Sequence, residues 1–273
     1  MVDLQARIEE LWARRDELGP GDQDAITIVH EAIAGLDRGD LRVAEIDETT
    51  REVTVHAWLK EAILLLFRLS SMETIELGPF HYADKIPLKR DFEGVRVVPG
   101  ASARWGSHIE PGAILMPSYV NIGARVGAGT LVDTWATVAS CAQIGRNVHL
   151  AGGVGIGGVL EPPEAAPVII EDDCFINSRC IIVNGARVRR GAKLGAGVIL
   201  SGSIPVIDAE TGEEVSRGDI PENCLVVQAS RKRTFPGGEF GLPCALIIGR
   251  LEGGHHDKLT LETALREHGV AFE

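Results

Sequence analysis

The chain has 273 residues, 27 Lys plus Arg against 39 Asp plus Glu, and a formal charge of −12. That acidity excludes a nucleic-acid binder driven by phosphate neutralisation. A hydrophobic fraction of 45% with 24% charged residues excludes a disordered chain.

In chain order, Asp3 to Leu18 has helical spacing, with Leu4, Ile8 and Leu11 on one face. A second helix is expected from about Asp22 to Leu36, ended at Gly35 or Gly39. Leu41 to Ile46 and Glu52 to Val55 read as short strands around a turn, and Trp58 to Leu69 as a strongly apolar buried helix. Leu77 to Val98 reads as a linker holding Lys85, Lys89, Arg90 and Arg96. The N-terminus shows no basic segment followed by an apolar one, and the longest apolar run, Ala62 to Phe67, is far short of the ~20 residues that span a bilayer. Five cysteines (Cys141, Cys174, Cys180, Cys224, Cys244) with no CxxC spacing do not suggest a disulfide framework. The expectation is a cytoplasmic protein with reduced thiols and no membrane or nucleic-acid partner.

A six-residue period organises the middle of the chain. Stepping by six from Ile114 gives Val120, Val126, Val132, Val138, Ile144, Leu150 and Ile156, all aliphatic. The fourth residue after each is mostly small, as at Ser118, Ala124, Thr130, Ala136 and Ala142. The register breaks at a proline-bearing stretch, Gly157 to Pro167, and resumes two residues out of phase with Ile170, Ile176, Ile182, Val188, Leu194 and Leu200. Such a period fits neither an α-helix nor a simple strand; it fits a parallel β-helix, each hexad giving one short strand and one corner. Gly123, Gly127, Gly145, Gly191 and Gly195 are expected at corners that need a positive φ. Beyond about Val206 the hexad fades. A hairpin turn is expected around Thr211-Gly212, strands at Leu225 to Val227 and Cys244 to Ile248, and a short helix at Leu259 to His268. The fold expected is therefore mainly β: a parallel β-helix over 96–205 with an inserted loop at 157–167, an N-terminal helical or mixed domain over 1–95, and a small C-terminal β region over 206–273.

The hexads resemble those of the hexapeptide acyltransferases, which implies left-handed coiling, three hexads per coil and so four to five coils, a homotrimer, and active sites between adjacent prisms. The segment MPSYVNIGARVGAGTLVDTWATVASCAQIGRNVHLAGGVGIGGVLEP, Met116 to Pro162, is more specific: it resembles the tetrahydrodipicolinate N-succinyltransferase family. LRVAEID (Leu41 to Asp47), DKIPLK (Asp84 to Lys89) and VRVVPG (Val95 to Gly100) match it as well. The resemblance covers nearly the whole chain, strongly to about Phe175 and more weakly beyond. It implies an acyl-CoA-dependent N-acyltransferase in diaminopimelate and lysine biosynthesis, with succinyl-CoA as co-substrate and no permanently bound cofactor. Carried over, Asp133 of the VDTW motif lies at the acceptor as catalytic base, and Arg96 contacts an acceptor carboxylate. An amine attacking a thioester must lose a proton, so a base is needed, and an Arg fork matches a carboxylate.

One departure matters. The family reads FIGARSEVVEG where this chain reads FINSRCIIVNG, Phe175 to Gly185. Ile181 stands where the family has its second candidate catalytic carboxylate, and Asn184 replaces a later acid. The later segment, Ala229 to Cys244, is also rewritten. Two alternatives follow: a related N-acyltransferase using, for example, acetyl-CoA on a similar amino acid, and a catalytically silent trimeric binding protein.

Gly153, Gly155 and Gly158 spell GxGxxG, but they run in hexad phase with Val154 and Ile156 and precede a proline loop, so a dinucleotide site is not expected. A backbone bared by those glycines can admit a pantetheine arm. Arg231-Lys232-Arg233 is either a solvated loop or a clamp for CoA phosphates. His149 precedes an inward Leu150 and should face outward. No HxxxxH or HxE spacing joins it to His108, so no metal site is expected. Cys174 and Cys180 fall on small corner positions and read as packed thiols.

Overall fold

In the computed structural model, which describes residues 2–251 together with Thr263 and Arg266, the hexads close into a three-sided prism. Most prism strands are only two residues long, and each puts one side chain inward and one outward. Stacking is parallel: Leu131 pairs with His149 and Val132 with Leu150, one coil of 18 residues later. We call the three walls the His149 face (Arg96, Ile114, Leu131, His149, Phe175, Lys193, Leu225), the Ile181 face (Ser102, Tyr119, Thr137, Gly155, Ile181, Ile199) and the Gln143 face (His108, Arg125, Gln143, Ile169, Arg187, Asp219), after their outward residues. Val120, Val126, Val132, Val138, Leu150 and Ile156 fill the interior with Ala124, Ala136, Ala142 and Val148 between them. Burying each Val, Leu or Ile contributes roughly 1.5–3 kcal/mol, so the core is a column of modest, equal contributions.

The prism is taller than four to five coils. Its walls carry six, seven and six strands, because Val97, Ala103 and Ile109 already point inward or towards the core before Leu115. Ile220 and Val226 extend the column beyond the expected fade near Val206. Ile114 is not an inward residue. It pairs with Leu131, 17 residues on, so the inward position is Leu115 and the corner before Val120 is one residue short.

Two insertions interrupt the coils. Ile144 pairs with Ile170, 26 residues on where a plain coil takes 18, and the eight extra residues form the loop expected at 157–167; this is why the hexad resumes two out of phase. Val188 pairs with Ile220, and the surplus there holds the antiparallel hairpin of Pro205–Asp208 and Glu214–Arg217 around Thr211-Gly212. The expected C-terminal strands are longer than read: Cys224–Phe235 and Gly238–Arg250 pair antiparallel along their length as an arm. The helix expected at 259–268 lies outside the described residues apart from Thr263 and Arg266.

Corner glycines serve two needs. Gly123 and Gly191 have φ of 74° and 69°, as expected. Gly127, Gly145 and Gly195 do not: a Cβ on Gly127 would lie 2.5 Å from the Gly145 carbonyl, and one on Gly145 2.6 Å from the Asp172 amide, so these two are Gly because the next coil's backbone lies against them, whereas a Cβ on Gly195 would meet the Val227 side chain at an ordinary 3.4 Å.

The helices are α1 (Val2–Ala13), α2 (Gln23–Arg38) and α3 (Ala57–Leu69). Asp22 caps α2, accepting the Ala25 N–H at 3.0 Å, and Gly39 at φ 82° ends it. Strands β1 (Ala44–Ile46) and β2 (Val53–Val55) pair antiparallel. Part of the expected 77–98 linker is instead a second hairpin, β3 (Glu73–Leu77) with β4 (Phe80–Asp84). Five-residue strands alternate with a period of two and so leave no trace in a six-residue pattern. The apolar helix α3 is buried among α1, α2 and the prism residues Ile122 and Cys141. This helical layer covers the corner between the Ile181 and Gln143 faces. Arg42 donates to Gln143 at 2.9 Å, and Arg51 pairs with Glu171. Among the described residues these helices leave the corner between the His149 and Ile181 faces uncovered.

Candidate active site

Asp133 stands at that open corner. Its backbone continues the His149 face, donating N–H to Leu150 at 2.9 Å, and its side chain points outward in the same parity as Leu131. Oδ1 is held by the Thr134 amide at 2.6 Å and the Thr134 hydroxyl at 3.2 Å. Oδ2 lies 3.7 Å from Nε2 of His149, which faces outward as expected. Both side chains are 32% exposed, half-buried but open to a ligand. On its far side the His149 ring meets Phe175 edge-on, centroids 5.0 Å apart.

Trp135 follows at φ 62° and is 74% exposed. Gly153 occupies the same corner position one coil on, at φ 69°, and Arg179 the next, at φ 62°. Arg179 lies across Gly153: a Cβ there would meet its guanidinium at 2.8–2.9 Å. Among the described residues Arg179 has no ion-pair partner, so an exposed cation and an exposed indole flank a bare stretch of backbone. Beside them on the Ile181 face, Gly155 pairs with Ile181 and Ile181 with Ile199. The two isoleucines are 44% and 45% exposed. This corner offers a carboxylate, an imidazole, a cation, and an apolar wall: the parts needed to hold an acylated carrier beside an amine.

The expected site residues fall in three places. Gly153 and Gly155 lie beside Asp133's corner; Gly158 sits where the loop leaves the prism, its missing Cβ 2.9 Å from the Ser140 amide. The strand at Gly155–Ile156 is followed by the inserted loop and the strand at Ile169–Ile170, not by a helix, so the three glycines do not sit in the strand–turn–helix setting of a dinucleotide fingerprint. Arg96 is on the His149 face two strands before Asp133's coil, about 10 Å away at ~4.8 Å per strand, and has no ion-pair partner among the described residues. Arg231 and Lys232 are on the arm, facing Glu214 at 3.8 Å and Glu239 at 3.7 Å. The arm's base is four strands from Asp133's coil, about 19 Å, so one chain does not bring them together. Cys174 and Cys180 are packed thiols as expected. Burial pushes Cys180 up to about 11 and raises Cys174 further.

Sequence reasoning missed the nearness of His149 to Asp133 and the column Trp135, Gly153, Arg179. It also missed Lys60. This fully buried lysine of α3 donates to the Ala165 carbonyl at 2.5 Å, tying the inserted loop to the helices. Burial lowers its pKa.

Comparison with known proteins agrees with this geometry. The family described as tetrahydrodipicolinate N-succinyltransferase N-terminal matches residues 3–69, and the hexapeptide repeat of succinyl-transferase matches residues 167–201. A 2,3,4,5-tetrahydropyridine-2,6-dicarboxylate N-succinyltransferase of Sodalis glossinidius is 45% identical over 276 residues, covering 97% of this chain and 99% of that protein. The Dechloromonas aromatica protein of the same name is 44% identical, covering 96% and 98%. Among solved structures, a Campylobacter jejuni chain described as a 2,3,4,5-tetrahydropyridine-2-carboxylate N-succinyltransferase aligns with a TM-score of 0.54 at 17% identity. That alignment covers 80% of this chain and 62% of the other, and shows a shared fold.

Proposed function

The chain belongs to the tetrahydrodipicolinate N-succinyltransferase family, and from that membership we infer its reaction and the residues that perform it. It is an acyltransferase that moves a succinyl group onto tetrahydrodipicolinate, the step its relatives carry out in diaminopimelate and lysine biosynthesis. The observation that carries the reading is near-end-to-end identity of 45% with a curated enzyme of this activity, together with an Asp133 whose Oδ2 faces an open corner.

The acyl donor is succinyl-CoA, used as a co-substrate. Water adds across the ring C=N bond of tetrahydrodipicolinate to give an amine N–H; that amine attacks the thioester carbonyl in a ternary complex, the C–N bond forms, and the C–S bond breaks, leaving the N-succinylated 2-amino-6-oxopimelate and the CoA thiol. Asp133 orients the amine and takes its proton through Oδ2, because Oδ1 is occupied by Thr134. Arg96 holds an acceptor carboxylate in its fork. Gly153 and Gly155 leave room for the pantetheine arm. Arg231 and Lys232 meet the CoA phosphates, with Gly158 shaping the rim. The distance between the arm and Asp133 within one chain supports a homotrimer in which the arm of one copy reaches the corner of another. Two anionic small molecules are thus received by an acidic protein at local basic points. Five buried cysteines without disulfides support a cytoplasmic setting.

A second reading, transfer of acetyl or another short acyl group, is favoured by one observation: Ile181 and Ile199 present an exposed apolar wall, with no carboxylate at position 181. A thiol-release assay with tetrahydrodipicolinate and either succinyl-CoA or acetyl-CoA at matched concentrations separates the two. A preference for succinyl-CoA is expected; equal or greater turnover with acetyl-CoA supports the second reading, and no turnover with any acyl donor overturns both. Asp133→Asn is expected to lower kcat by about 10²-fold or more, in line with loss of a general base.

A further inference from the structure

Asp133 has one neighbour that the reaction as described does not use. His149 lies on the next coil, its Nε2 3.7 Å from Asp133 Oδ2. The partition of Asp133's oxygens makes this meaningful. Thr134 holds Oδ1 through two hydrogen bonds, leaving Oδ2 as the oxygen that meets both the incoming amine and the imidazole. On its other side, His149 packs edge-on against the buried Phe175, which limits where the ring can turn.

Resting on the reading of Asp133 as the base, we propose that His149 is a positioning and proton-holding residue that acts through Asp133, so that the two form one acid–base unit. An isolated carboxylate, near pKa ~3.9, holds an amine proton poorly at neutral pH, whereas an imidazole near ~6.5 holds it well. With its own proton on Nδ1, the ring presents Nε2 as an acceptor. The amine N–H bond breaks as its nitrogen bonds to the acyl carbon. The proton lands on Oδ2 and passes to Nε2, while the pair from the C–S bond leaves on sulfur. The imidazolium then returns the proton through Oδ2 to the thiolate, giving the free CoA thiol and restoring both groups. At 3.7 Å the two groups are just beyond hydrogen-bond distance, and catalytic contacts of this kind tighten once substrate is bound.

Three other charged groups lie near His149 in the chain or on its face. Asp173 lies two residues before Phe175, Arg146 three before His149, and the buried Lys193 one strand beyond Phe175. Arg146 is paired with Glu110 at 3.2 Å, and Asp173 accepts from Asn147 at 3.2 Å. Asp133, with Oδ2 3.7 Å from Nε2, is placed to exchange a proton with His149.

The test is the pH profile of kcat/KM for His149→Gln beside the unaltered protein. Glutamine keeps an N–H near the Nε2 position and can hold Asp133 in place, but it cannot take a proton. The unaltered protein should rise to a plateau along an acid limb that depends on His149. H149Q should lose that limb and at least tenfold in kcat, with KM for both substrates within about threefold. Titration of the amine substrate is common to both proteins and cancels in the comparison. H149Q with the same limb and kcat within about twofold overturns the inference. Asp133→Asn in the same series separates the two layers: if D133N keeps full kcat, the reading of Asp133 falls as well; if D133N is inactive while H149Q keeps its limb, only the role of His149 falls. Melting temperature and acyl-CoA binding confirm the fold, and His149→Asn substitutes if H149Q melts more than about 5 °C lower.

Discussion

At the scale of single residues, the stacked coils make some glycines irreplaceable for reasons that differ from one to the next. A Cβ on Gly127 would lie within 2.5–2.7 Å of the backbone of Gly145 and Arg146, and that backbone is fixed by the parallel ladder. The atoms nearest a Cβ on Gly153 all belong to the flexible Arg179 side chain, though at φ 69°. Gly153→Ala should therefore cost about 1–2 kcal/mol, the usual left-handed penalty, and displace Arg179. Gly127→Ala should cost more, since overpacking adds about 1–3 kcal/mol or more with nowhere for the strain to go. Denaturant midpoints of the two variants check the order, and a larger loss for Gly153→Ala would refute it. From Val120 to Leu200 the inward and outward positions of the prism were legible from hexad phase; Ile114 was misplaced because the corner before Val120 is one residue short. The pairing of Asp133 with His149 was not, because counting one coil of 18 from Asp133 lands on Ala151. The two outward side chains meet diagonally, across one coil and two residues along, and only a reading that searched diagonals would have joined them.

Elements meet along the seam between helices and prism, and there the sequence was silent about what holds them. Hexad phase forecast the inserted loop but not its fastening to α3 by Lys60, since a lysine in an apolar helix carries no sign of its distant carbonyl partner. With its folded pKa below the ordinary 10.5, Lys60 contributes stability that is complete above 10.5 and is lost as pH falls through the window beneath it. The melting temperature of the unaltered protein minus that of Lys60→Met should therefore grow as pH rises towards 10.5; a flat difference would contradict this. The variant should also expose the loop at 157–167 to proteolysis. Two histidines act on the acid side of the same seam. Burial lowers His30, which packs on Trp105 at 5.1 Å, and burial lowers His108, whose Nδ1 lies 3.2 Å from the Asp37 carbonyl. Their stability contribution is present above about 6.5 and lost as pH falls through their lower folded values. Hydrogen exchange, corrected for intrinsic rates, should show α2 amides losing protection at pH 5 relative to pH 7 while the prism strands at Val132 and Leu150 keep theirs. Equal loss in both would argue against a seam effect.

The arm sets the question at the scale of the whole molecule. Among the described residues the strands over 229–244 pair only with one another, and the tip exposes Phe235, Phe240 and Leu242. A bare two-stranded hairpin is marginal in water, so this one needs cover. Its Arg231, Lys232 and Arg233 make it locally basic on a chain of charge −12, which suits it to the acidic body of another copy. An arm that serves the site of a neighbour predicts subunit complementation. Asp133→Asn spoils the corner of a chain; Arg231→Ser with Lys232→Ser spoils its arm. In a trimer whose sites lie between copies, mixing the two variants assembles some sites from an intact corner and an intact arm. Co-expressed protein should then turn over succinyl-CoA faster than either variant alone, and sedimentation should give a mass near three times 29.3 kDa. If corner and arm served each other within one chain, every site in the mixture would carry one defect and activity would be no better than that of the parents. The distance of about 19 Å between them in a single chain favours the first outcome.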